Sequence, residues 1–189
     1  MIVHLPTAKL SSLPSEHAGL TRVDHNTALG VTFNNTLSCG PHVSHTTAKA
    51  AASLYALKTL RRHGLQGQAL CDVARATLVA QLLYASPAWS GFITAEEKSK
   101  LQSVLTKASH CGFLPFGFVS LDELFKSADH TLFTAAANNS EHVLHRLLPA
   151  RKETGYNLRK RTHGFILPEA QSCYLRKNFL VRMLFTDIY

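Results

Sequence analysis

Acidic residues are scarce in this chain: 12 Asp and Glu stand against 20 Lys and Arg among 189 residues, a net charge of +8. The five aspartates, Asp24, Asp72, Asp122, Asp129 and Asp187, are scattered, and no Asp-Asp pair occurs. The pair of hard oxygen ligands required by a two-metal phosphoryl-transfer centre is therefore not advertised. A Walker loop, a G-x-G-x-x-G turn and a G-x-S-x-G elbow are also missing, which sets aside the common nucleotide, dinucleotide and α/β-hydrolase sites. Gly64-Leu65-Gln66-Gly67 reads instead as a helix terminus and turn. The four cysteines, Cys39, Cys71, Cys111 and Cys173, form no C-x-x-C and imply no disulfide framework. Each sits among apolar residues, where a small buried hydrophobe is the commoner role. No apolar N-terminal signal segment is present, so the expected setting is intracellular and reducing, nucleus or cytoplasm being left open. Residues 76–95 carry no charge, but Gln81, Ser86, Pro87, Ser90 and Gly91 interrupt them. They read as a buried helix and a loop, and no membrane partner is expected.

Cys39-x-x-His42-x-x-His45 offers sulfur and imidazole at a spacing that could contribute to a zinc site, with a fourth ligand from His17, His25 or the Cys111 beside His110. No second ligand pair accompanies these residues, and His42 and His45 fall in the first turns of a helix. They read as structural or capping histidines. No catalytic residue, metal or cofactor is assigned.

What is present is an ordinary globular composition, 46% hydrophobic and 17% charged, long enough to bury a core. Residues 1–19 read as a loose lead-in. Runs at 20–23 and 28–33 predict an antiparallel hairpin turned by Asp24-His25-Asn26-Thr27, with Leu29, Val31 and Phe33 on one face. Across 29–43 the period changes from strand to helix. Val43, Thr47, Ala50, Leu54, Leu57 and Leu60 recur at three and four residues, a helix that Gly64 ends. A second helix is predicted over 68–85, halted by Pro87, and the short connection makes the two an antiparallel pair. Thr94-Ala95-Glu96-Glu97 is a capping box opening a helix with Leu101, Val104, Leu105 and Ala108, closed by Gly112 and Pro115. Ser120-Leu121-Asp122-Glu123 repeats the signature before a short helix, and further helical turns are predicted at 132–137 and 142–148. The fold class is mainly α, a helical bundle with a small N-terminal β-hairpin and a basic, partly irregular C-terminal segment.

The basic residues concentrate in two places. Lys49, Lys58, Arg61 and Arg62 lie on the polar side of the first helix, the last three where positive charge also suits the helix dipole. From 151 to 189, eight Lys and Arg stand against Glu153, Glu169 and Asp187, a surplus of five from the net +8. Among them are Arg159, Lys160 and Arg161 in succession, then Arg176, Lys177 and Arg182. Phosphate-rich partners, RNA or an RNA/DNA hybrid, suit such a balance.

Leu29-Gly30-Val31, Leu37-Ser38 and Pro41-His42-Val43 resemble the segment that follows the catalytic palm in non-LTR, LINE-type (jockey-like) retrotransposon reverse transcriptases. Residues 48–62 resemble that family's first thumb helix, 84–89 its Y-x-x-P-x-W turn, and 101–108 its L-Q-x-x-x-x-x-A helix. Later come similarities to H-x-L-x-x-L-L-P at 142–149, Y-x-x-R at 156–159, F-x-L-P at 165–168 and N-F-x-x-R at 178–182. The shared order runs through residues 20–189. The resemblance implies an end-of-palm hairpin at 1–37, a helical thumb-like region at 38–112 and a post-thumb region at 113–189. It further implies a non-catalytic piece without the palm's paired aspartates, gripping template and primer through Lys49, Lys58, Arg61 and Arg62. The alternative is a structural or interaction remnant that self-associates or docks on a palm-containing chain. In it, Leu29, Val31, Phe33 and part of the first helix's apolar face would lie exposed.

Overall fold

The structure, a computed structural model, describes residues 23–151, 163–169 and 172–186, and the backbone alone of 16–17 and 20–21. The protein is mainly helical, with a small antiparallel hairpin near the N-terminus. It divides into two compact units, Met1–Ala85 with Phe92–Leu121, and Ser86–Gly91 with Asp122–Tyr189.

In the first unit, β1 (Glu16–His17) pairs with β2 (Leu20–Thr21), and β3 (His25–Ala28) with β4 (Val31–Asn34). The hairpin thus turns at Leu29-Gly30, not at the polar 24–27 cluster expected from sequence. His25 faces Asn34 and Ala28 faces Val31, which leaves two residues at positive φ, Leu29 at 48° and Gly30 at 81°, the geometry of a type I′ turn. Tyr84 Oη donates to the Leu29 carbonyl at 3.1 Å. A Cβ on Gly30 would stand 3.3 Å from the Tyr84 ring, so this close approach also asks for glycine. Strand β4 leans on α1 (Gly40–Arg62), the support a lone hairpin requires. Val31 is buried and Phe33 half-buried, while Leu29 is 93% exposed, so of these three apolar residues Leu29 alone is bare.

Helix α1 buries His42, Val43, Thr46, Ala50 and Leu57. Its inward face is rotated from the expected one, with Thr46 inside and Leu60 exposed. Gly64 at φ 95° ends the helix: its N–H donates to the Arg61 carbonyl and that of Leu65 to the Leu60 carbonyl, both at 3.1 Å, a complete Schellman motif. The second helical rod comprises α2 (Gly67–Ala74), a π-turn at Arg75–Val79 and α3 (Ala80–Leu83). It packs on α1, and Leu70, Leu78 and Leu82 along it are buried. Both halves of the predicted capping box are made at the start of the next long helix: Glu97 N–H donates to Thr94 Oγ1 at 3.2 Å and Thr94 N–H to Glu97 Oε2 at 2.7 Å.

In the second unit, the short α4 (Ser86–Trp89) sets Trp89 edge-on to Phe125, ring centroids 5.4 Å apart. The long helix opened by the capping box is α5 (Ala95–His110), in the first unit. Helix α6 (Leu121–Asn138) is one continuous rod of 18 residues, replacing the short helix predicted after the capping signature at 120–123 and the separate turn predicted at 132–137. The turn predicted at 142–148 contracts to a single 3-10 turn, His145–Leu147. Two short helices, α7 (Cys173–Lys177) and α8 (Phe179–Leu184), are capped by Ser172 and Asn178. Phe133, Phe165, Phe179, Met183 and Leu184 form the core, with Leu144 and Leu148 against it. The motifs at 142–149, 165–168 and 178–182 therefore contribute to one apolar cluster, and that at 156–159 lies outside the described residues. Among the described residues no helix is long and apolar enough to cross a membrane.

Candidate nucleic-acid interface

Lys58, Arg61 and Arg62 sit three and four residues apart, so the helical repeat gives them one neighbourhood on the last turns of α1. All three are exposed. Arg61 is also anchored: its Nη1 donates to the Cys111 carbonyl at 2.6 Å, and its guanidinium lies 4.9 Å from the centroid of buried Phe113. This bond ties the end of α1 to the end of α5, where a cation also answers the unsatisfied carbonyls of a helix terminus. The last turn of α5 adds Lys107 and His110. At the opposite end of α5, Glu97 closes the capping box and Glu96 pairs with Lys100 at 2.8 Å. Lys98 and Lys100 balance the two acids there, so the net positive charge of α5 lies in its last turn, and Arg61 ties that end to the end of α1. Among the described residues Lys58, Arg62 and Lys107 make no ion pair.

The other sequence-predicted residues are not brought to this corner. Lys49 is exposed but stands nine residues before Lys58, about 180° around the helix and roughly 13 Å along it. Arg159, Lys160 and Arg161 lie outside the described residues. Arg176 and Lys177 are exposed on the last turn of α7, with Lys177 Nζ 5.8 Å from the Tyr174 ring centroid. Arg182 faces inward instead. It donates to Asp129 Oδ2 at 2.7 Å and to Ser90 Oγ at 3.2 Å, its side chain only 25% exposed. Gly91 makes room for it, since a Cβ there would collide with the Lys177 carbonyl and the Arg182 guanidinium.

Cys39, His42 and His45 do not assemble a metal centre: among the described residues no group of three His, Cys, Asp or Glu converges. Burial, with Glu97 nearby, pushes the Cys39 thiol up to about 12, so it stays protonated at neutral pH. Burial, helped by His45 and Lys49, holds buried His42 below the ordinary imidazole value. A neutral ring beneath the first turn of α1 is a packing element.

Besides Lys107 and His110, two more residues absent from the sequence-based set join the corner. Arg75, at the start of the π-turn, sets its guanidinium 6.0 Å from the Phe118 ring centroid. It is the lone Lys or Arg between Arg62 and Lys98, the signal that could have singled it out. Phe116, in the same loop as Phe113 and Phe118, is fully exposed. Compared with protein-family models, curated proteins and solved structures, the chain finds no match.

Proposed function

We propose that this chain is a non-catalytic C-terminal part of a LINE-type reverse transcriptase that holds template and primer nucleic acid by their backbone phosphates. The family reading rests on the ordered sequence motifs. The binding reading is carried by one observation: Lys58, Arg61 and Arg62 at the end of α1 meet Lys107 at the end of α5 with no acid paired to Lys58, Arg62 or Lys107 among the described residues. Phosphate oxygens are the natural acceptors for such a group, and contacts of this kind follow backbone geometry rather than base sequence. The scattered aspartates give the chain no counterpart of a polymerase's catalytic pair.

Fluorescence anisotropy on a labelled RNA/DNA hybrid, between about 50 and 200 mM salt, tests the binding reading. The logarithm of affinity should fall linearly with the logarithm of salt concentration. Replacing Lys58, Arg62 and Lys107 together by Ala should flatten the slope by roughly two to three units with the melting temperature held. An unaltered slope and affinity would overturn this site. A second reading, self-association or docking on a palm-containing chain without nucleic-acid contact, draws on Leu29 and Tyr55, 93% and 72% exposed. A sedimentation coefficient that grows with concentration, in protein without affinity for the hybrid, would select it.

A further inference from the structure

We infer that Phe116 is a stacking platform for an unpaired base of single-stranded nucleic acid, with the cations around its loop holding the neighbouring phosphates. The inference rests on the phosphate-binding reading above and adds to it the strandedness of the ligand.

Between α5 and α6 the chain runs Gly112-Phe113-Leu114-Pro115-Phe116-Gly117-Phe118, three phenylalanines within six residues. Two of them serve the fold. Phe113 is buried under Arg61, and Phe118 is half-buried with Arg75 beside it. Phe116 turns away from both, with a relative exposure of 104%, as bare as in an isolated extended peptide. Phe118 N–H donates to the Pro115 carbonyl at 3.2 Å, and Gly117 at φ 73° supplies the third position of the turn, where a side chain would be strained. Ser109 Oγ donates to the same Pro115 carbonyl at 3.1 Å, fastening the turn to the last turn of α5. The ring is thus held out from a tethered turn. A polar residue would satisfy the turn without exposing an aromatic surface to water.

The surroundings select the ligand. Arg61 and Arg75 each place a guanidinium over a ring of this loop, and Arg62, Lys107 and His110 occupy the adjoining helix ends. Pro115 and Val119 of the same loop are exposed and Asp122 and Glu123 open the helix after it, but the guanidinium groups over the loop's other two rings are cationic and set Phe116 beside positive charge in the chain. A polyanion that also offers flat π-faces fits both features. In a duplex those faces are already stacked, whereas in a single strand, a loop or a frayed end they are free.

The test compares the full chain with Phe116→Ala and Phe116→Trp on a labelled oligouridine strand and on a blunt RNA/DNA hybrid. Phe116→Ala should weaken single-strand binding by about 5- to 100-fold while hybrid affinity holds, and Phe116→Trp should retain it. Circular-dichroism melting should be unaltered by either change. Equal affinity of Phe116→Ala and the parent for the single strand, with the Lys58, Arg62 and Lys107 variant still impaired, would overturn the stacking role and leave the phosphate site standing. Failure of the parent to bind either nucleic acid would overturn both. Loss of self-association, or of binding to phosphatidylserine vesicles, in Phe116→Ala with single-strand affinity intact would overturn it in favour of a protein or membrane contact.

Discussion

Arg182 sits in a basic segment whose charge suggests a surface role, yet its guanidinium is paired with Asp129 and Ser90 inside the second unit. Asp129 is 7% exposed, and burial pushes its carboxyl above the ordinary value, with Arg182 opposing that shift. Arg182→Met would leave this carboxylate buried without its cation. The change should cost about 3 kcal/mol, the lower end for a broken buried pair because Arg182 keeps some solvent contact. Urea unfolding measures the cost, and the salt dependence of nucleic-acid binding under native conditions should not move. Full stability with a flattened salt slope would instead make Arg182 a phosphate ligand. The partner was illegible in the sequence because it lies 53 residues away, and no local rule couples an Arg near the C-terminus to an Asp in mid-helix.

Elements governed by their own neighbours were the legible ones. Thr94 and Glu97 close a reciprocal cap, and Gly64 and Gly112 end helices, because each device spans only a few residues. The hairpin was less legible since β3 is exposed along its whole length and has no alternating apolar signal. Its polar 24–27 stretch resembled a turn, while the true turn holds a leucine. Left-handed backbone costs a non-glycine residue roughly 1–2 kcal/mol, and Asn-Gly is the pair this turn prefers. Leu29 makes little packing contact to lose, and the bond from Tyr84 goes to its carbonyl. Leu29→Asn should therefore raise the midpoint of thermal unfolding by a few degrees, about 0.5–1 kcal/mol, and Leu29→Ala should not. A midpoint lowered by Asn would refute the strain. Helix α6 runs unbroken through Asp129, whose side chain is paired with Arg182.

Across the whole molecule, positive charge falls into two regions, and the sequence disclosed them unequally. Lys58, Arg61 and Arg62 were legible because one helical period gathers them. Arg75 and Lys107 were not: Arg75 is the one cation of its rod and Lys107 lies seven residues beyond Lys100 on α5, so no single helical period gathers them with the end of α1. The C-terminal surplus is smaller at the surface than its count suggests. Arg151 reaches the Ala137 carbonyl and lies over Phe165, and Arg182 is turned inward. Arg176 and Lys177 are exposed, and Lys152, Arg159, Lys160 and Arg161 lie outside the described residues. If both regions grip one strand through separate phosphates, their counterion releases are independent and their effects on the salt slope should sum. Replacing Arg159, Lys160 and Arg161 by Ala should then flatten the slope by roughly two to three units, as the Lys58, Arg62 and Lys107 variant does, and combining the six changes should remove roughly twice that. Anisotropy titrations of the three variants on one hybrid decide it: a combined loss no larger than that of the Lys58, Arg62 and Lys107 variant alone would confine the phosphate grip to the end of α1 and the 111–120 loop.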